Sequence, residues 1–204
     1  MKKLKIALMA LMLFAGVSNV KAQDADNLWA LSFGVNMVDI NNGGFSDMGG
    51  MIKDYLGLGD LNTIPAISHL SVTRYINNGF NVELAAALNK IDQAADAGEV
   101  DGLSFFSIDA ACKYDLNTLS FIGETGWFDP FIKFGIGMTW VDGDDSLTLN
   151  PGAGFNTWFN DNVGMNFASS FKTSSGIGKE FPSIEASNYF QHTIGLMIRF
   201  NGDE

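Results

Sequence analysis

Four stretches of this chain alternate bulky apolar side chains with small or polar ones at a period of two, a pattern that belongs to strands with two unlike faces. In the first, Trp29, Leu31, Phe33, Val35 and Met37 take one face, and Ala30, Ser32, Gly34 and Asn36 the other. Phe80, Val82, Leu84, Ala86 and Leu88 repeat it against Asn81, Glu83, Ala85, Ala87 and Asn89. Ile132, Phe134, Ile136, Met138 and Trp140 oppose Lys133, Gly135, Gly137 and Thr139, and Phe190, Ile194, Leu196, Ile198 and Phe200 oppose Gln191, Thr193, Gly195 and Arg199. Weaker versions over 66–76, 103–114, 149–159 and 163–172 bring the expectation to about eight strands of about ten or eleven residues. The spacers NNG (77–79) and NDN (160–162) read as tight turns, and 39–65, 91–102, 142–148 and 173–188 as longer loops. Parity puts 115–128, fourteen residues long, on the short-turn side as an exception. Short turns at one end and long loops at the other predict an all-β fold, an antiparallel up-and-down transmembrane barrel.

A soluble eight-stranded barrel is the competing arrangement, with the bulky face turned inward. Its outer surface would then be Gly, Ala, Ser and Asn, whereas solubility normally comes from large charged side chains, and only 17% of this chain is charged. Turned the other way, the small residues fit a narrow lumen and the apolar face meets lipid. The aromatic residues favour this. Trp29, Phe80, Tyr114, Phe159 and Phe200, with Trp127 and Phe128, fall at the short-turn end, and Phe106, Trp140, Phe171 and Phe190 at the other, as two interfacial girdles require.

The N-terminus carries Lys2, Lys3 and Lys5, an apolar run from Ile6 to Val17 and small residues ending at Ala22, which predicts a secretory signal peptide over 1–22, cleaved before Gln23. The apolar run is too short to span a bilayer as a helix. Residues 23–204 are then one barrel domain, carrying 8 basic against 23 acidic residues, a net charge of −15 that repels nucleic acid. The lone Cys112 excludes an internal disulfide and falls on the lipid face as a small apolar residue.

The segments NLWALSFGVNMVD, SVTRYINNGFNVELA, TGWFDPFIKFGIGMTW, NTWFNDNVGMNF and FQHTIGLMIRF resemble the N-terminal barrels of the OmpA-like outer-membrane proteins, porin-like in type and in the version common in Bacteroidetes. The resemblance implies an outer-membrane location in a Gram-negative cell envelope, with both termini periplasmic and the long loops extracellular. It also implies that Thr193, Gly195, Ile198 and Phe200 form the C-terminal signal read by the barrel-insertion machinery during assembly. The sequence ends at NGDE, without the peptidoglycan-binding domain of many relatives, so their wall-anchoring role is not carried over.

Inward-facing charges are the best functional candidates: Glu83, Asp109, Lys113, Lys133, Lys172 and Arg199. Of these, Glu83, Lys113, Lys133 and Arg199 sit toward the short-turn end, where an ion-pair network would close the lumen, because unpaired charges in so narrow a space are costly. A plug is the favoured reading and a gate or selectivity site the rival. His69 and His192 lack a paired ligand spacing, and the acidic segment VDGDDS (Asp142, Asp144, Asp145) lacks the spacing of a calcium loop. The glycines of FGIGM and PGAGF lie within strands, the wrong setting for a nucleotide. The sequence therefore predicts no metal, no cofactor and no catalytic residues. The expected function is a non-enzymatic structural or interaction role among outer-membrane lipids. The long loop 39–65 is the candidate contact surface for a partner protein, and its segment MIKDYLGLGDL is read as a short helix. A small diffusion pore is the alternative. A more remote one is a lipid hydrolase using Ser169 and His192, which share the lipid face of adjacent strands but show no orienting carboxylate in the sequence.

Overall fold

The computed structural model describes residues 27–40, 61–94, 98–119 and 126–201. The expected signal peptide and the expected helix in the long loop, apart from Leu61, lie outside them. The strands are β1 (Trp29–Asp39), β2 (Asn62–Thr63), β3 (His69–Asn77), β4 (Phe80–Ala94), β5 (Gly98–Asp115), β6 (Phe128–Val141), β7 (Asp144–Leu149), β8 (Gly152–Trp158), β9 (Val163–Thr173) and β10 (Asn188–Phe200). Every pairing is antiparallel between neighbours, and β10 returns to pair with β1 from Trp29↔Phe200 to Asp39↔Phe190. The result is a closed eight-stranded antiparallel barrel, with β7 and β8 as two halves of one wall strand and β2 as a short addition to β1.

The wall strand breaks at Pro151. Asn150 still exchanges both backbone hydrogen bonds with Gly135, at 2.8 and 3.2 Å, but the proline has no N–H to continue the ladder, and only its carbonyl is used, by Phe171 N–H. The sequence reading of one strand over 149–159 is corrected accordingly.

Two expected loops are mostly strand. Strands β4 and β5 run on through 91–94 and 98–102, and β6 joins β7 through Asp142 and Gly143, whose φ angles of +49° and +93° make a type I′ hairpin turn in place of a loop over 142–148. At the other end Asn78 and Gly79, with φ of +49° and +80°, form the NNG turn as expected. The exceptional connection after β5 begins with a short 3-10 turn, Leu116–Thr118, from which Asn117 reaches back to the Phe128 carbonyl at 2.9 Å.

The barrel wall has the polarity read from the alternation: Leu84, Phe134 and Ile136 point outward and are 60%, 58% and 53% exposed, while Asn81, Glu83, Thr139 and Thr193 point inward and are buried. Two groups of ring contacts mark the two ends of the wall. At the short-turn end Phe80 meets Tyr114 at 4.7 Å and Trp127 meets Phe128 at 5.5 Å. At the long-loop end Phe106 stacks on Trp140 at 5.3 Å and Phe171 meets Phe190 at 5.2 Å.

Beyond that second group the polarity inverts. On β4 the outward positions after Leu88 are Lys90 and Asp92 and the inward one after Asn89 is Ile91; a register shift between Ile91 and Gln93 then leaves Gln93 exposed, so that the buried positions are Ile91 and Ala94. These pack with Val38, Ile40, Phe105, Val141, Phe181, Ile184, Ala186 and Tyr189 into an apolar cluster that fills the barrel mouth. The lower barrel is therefore apolar outside and polar inside, and its extension is the reverse, like a soluble barrel.

Curvature brings the wall strands close at glycines. A Cβ placed on Gly34, which pairs with Gly195 across the β1–β10 seam, would lie 2.0 Å from the Ile194 carbonyl oxygen. Unboiled protein is expected to migrate differently from boiled protein on a detergent gel, and Gly34→Val is expected to lose that difference by preventing closure. An unchanged shift in the variant would show that the seam tolerates the side chain.

Candidate functional site in the barrel lumen

The narrow lumen holds its charged groups in layers along the barrel axis. At the short-turn end Asn81 donates to the Asp115 carboxylate at 2.9 Å, Asn117 donates to one Asp129 oxygen at 2.8 Å, and the indole N–H of Trp158 donates to the other. The Arg199 guanidinium lies 4.2 Å above the Trp158 ring and its Nε–H donates to the Asp161 carbonyl. Both Arg199 and Trp158 are fully buried.

One level up, Glu83 on β4 accepts from Lys113 on β5 at 3.2 Å and from Lys133 on β6 at 3.3 Å, and Thr73 reaches it at 3.5 Å. Lys113 also stands 4.0 Å over the Phe131 ring. The next level is Asp109, which receives Lys172 at 2.7 Å on each oxygen, Asn150 at 2.8 Å and Ser107 at 3.3 Å. Above it, the hydroxyls of Tyr189 and Thr139 share a 2.6 Å hydrogen bond directly beneath the apolar cluster.

Between the Glu83 and Asp109 levels is a cavity of about 20 Å³, enough for about one water. His69 Nδ1, Asn150 Oδ1 and Gln191 Oε1 are buried with no hydrogen-bond partner among the described residues, and all three residues line it. Lys113, Lys133, Lys172 and Arg199 together balance Glu83, Asp109, Asp115 and Asp129, so these named groups sum to neutrality.

All six charged residues proposed from the alternation face this lumen, but they do not form one cluster. Glu83 gathers Lys113 and Lys133, Asp109 takes Lys172 separately, and Arg199 lies against Trp158. The register explains the separation, since Thr73 and Ala30 stand between Glu83 and Arg199 around the wall. Sequence reasoning missed Asp115 and Asp129, although the parity of Lys113 and Lys133 extends to both. It also missed Trp158 and the loop residues Phe181 and Ile184, which carry no periodic signal.

Among the other candidates, His69 points into the lumen, while Cys112 is outward and exposed. Ser169 and His192 are direct cross-strand neighbours on the outer wall. From the long loop, Asn62 is buried at the mouth: its amide donates to the carbonyls of Val38 at 3.1 Å and Gln93 at 2.8 Å, and its oxygen accepts from the N–H groups of Asp92 and Gln93.

Glu83→Gln would leave Lys113 and Lys133 buried opposite a neutral amide, and Asp109→Asn would do the same to Lys172. Each is expected to lower unfolding stability in lipid or detergent by about 3–5 kcal/mol, whereas replacing Asp109 and Lys172 together by Asn and Met should recover most of the loss. Denaturant titration read by the folded band on an unboiled gel measures this, and wild-type midpoints for the single variants would contradict the pairing.

No family model matches the chain, and no curated protein matches it. Solved structures do. Neisserial surface protein A is 14% identical over 84% of this chain and 97% of its own, with a TM-score of 0.52. The outer membrane protein OprG of Pseudomonas aeruginosa is 14% identical over 90% of this chain and 98% of its own, with a TM-score of 0.51. At that identity the likeness concerns the backbone, and the chain has the fold of the small eight-stranded outer-membrane barrels.

Proposed function

We propose that this chain is a sealed outer-membrane barrel of the OmpA-like kind, a structural or contact component of a Gram-negative cell envelope. The observation that carries this reading is the filling of the lumen, where paired side chains occupy successive levels and the apolar cluster around Phe181 and Tyr189 covers them. A solute would have to break buried ion pairs and displace that cluster, which argues against the diffusion-pore alternative.

Residues at the long-loop end then carry the role. The inversion of wall polarity past Leu88 supports a lipid boundary at the Phe106, Trp140, Phe171 and Phe190 level, with water beyond it. The outer surface there is acidic, with Asp92, Asp101, Asp142, Asp145, Glu180 and Glu185, and it would favour a cationic or metal-bridged partner. In this reading the signal peptide directs export, and both termini are periplasmic. The insertion machinery reads Thr193, Gly195, Ile198 and Phe200, of which the last two face outward on the closing strand.

Two measurements test it. Reconstituted wild-type protein is expected to leave a planar bilayer electrically silent, and reproducible conductance steps would overturn the sealed lumen. In a Cys112→Ala background, Asp145→Cys in the β6–β7 hairpin should react with a membrane-impermeant maleimide on intact cells; reaction only after lysis would reverse the orientation.

A further inference from the structure

The outer wall changes character at one level of β8, β9, β10 and β1. Ala153 pairs with Ser169, Ser169 with His192 and His192 with Met37, and all four point outward. Nearer the short-turn end the next outward row is Phe155, Phe167 and Ile194, with the two rings stacked at 4.8 Å. Nearer the long-loop end it is Phe171 and Phe190, and the Phe190 ring lies within 7° of parallel to the His192 imidazole at 5.9 Å. The Phe155 and Phe167 rings and Ile194 on the short-turn side, with Ala153, Ser169 and His192 next to them, line a groove of about 610 Å³, within the ~300–1,000 Å³ of small-molecule sites. Met37 and Leu61 line its other side.

Its depth is specific. From Phe200 to His192 the strand climbs about 20 Å, at ~3.3 Å per residue and a tilt of ~40°. An outward apolar band is about 25 Å tall, so Ser169 and His192 sit just inside its long-loop edge, under the Phe171 and Phe190 rings. That is where the acyl chains of a leaflet join their headgroups through ester or amide linkages. A serine hydroxyl and the two ring nitrogens of an imidazole are hydrogen-bonding groups that match carbonyl and hydroxyl groups at that level.

We propose that the groove is a lipid site that seats one acyl chain of the glycolipid in the long-loop leaflet. The chain lies over Ala153 along Phe155 and Phe167, and its linkage hydrogen-bonds Ser169 and His192. The groove is continuous with the band that the bilayer covers, so lipid is its occupant. The choice of an acylated glucosamine lipid, lipopolysaccharide, rests on the outward orientation proposed above, because that lipid builds the outer leaflet of such membranes.

The test is native mass spectrometry of the purified barrel in detergent, titrated with short-sugar lipopolysaccharide and, separately, with phosphatidylethanolamine. Wild type is expected to hold one lipopolysaccharide in preference to phosphatidylethanolamine. Ser169→Leu and His192→Leu should each weaken it about five- to tenfold, the loss of about one hydrogen bond and of space. Ala110→Leu, outward on β5, should leave it unchanged. The leucine variants present more apolar surface to lipid and should still close, which the unboiled gel verifies. Equal binding by wild type and both leucine variants, or a preference for phosphatidylethanolamine in a protein that labels from outside at position 145, overturns the site. Labelling only after lysis overturns the orientation, and with it the choice of glycolipid.

Discussion

The hydrogen-bonded ladder that joins β1 to β10, from Trp29↔Phe200 to Asp39↔Phe190, removes the two free edges that an open eight-stranded sheet would keep. In hydrocarbon, unpaired backbone N–H and C=O groups cost several kcal/mol each, so an apolar outer surface is compatible with a bilayer only once the sheet is closed. Closure at this strand number also sets the width of the interior, which is narrow enough for side chains to fill. Most of the interior chemistry follows from that confinement.

Inside so narrow a tube, water cannot hydrate each charge separately, and the charges are met by one another. Glu83 between two lysines, Asp109 under Lys172, and Asp129 between Asn117 and Trp158 are three solutions to one problem. Each is a buried group held by several donors, the arrangement in which an ion pair is tolerated in place of apolar packing. The cap around Phe181, Ile184 and Tyr189 is the complementary solution at the mouth, where the wall has left the apolar band and the interior has become an ordinary hydrophobic core. A barrel closed in both ways has its outer wall and its long-loop surface left for contact with other molecules.

The strands were legible in the sequence wherever one face stays apolar and the other polar, as over 29–37 and 190–200. They were cut short where the two faces exchange polarity. Past Leu88 the outward residues become Lys90 and Asp92, and a reading that demands an apolar outer face ends the strand there, although the alternation carries on through Ile91 to Asp92 before the register shifts. The Asp142–Gly143 pair is a strong two-residue hairpin signal, and its acidic neighbours disguised it as a solvated loop. At the short-turn end, ending the strands on hydrophobicity lost Asp115, one residue past Tyr114, and Asp129, two residues before Phe131.

By itself the sequence determined that the chain forms two-faced strands, which face is apolar and which charged residues point inward, because side-chain direction in a strand depends only on local parity. It also determined the two aromatic levels, which are parity combined with distance along each strand. Only the tertiary structure decided which charges meet, since partnership depends on register around the closed wall: it separates Arg199 from Glu83 and sets Asp109 on Lys172. The same long-range register brings Ser169 beside His192, and packing at the mouth draws the non-periodic residues Phe181 and Ile184 into the barrel. Contacts between segments far apart in the chain leave no period for a local reading to find.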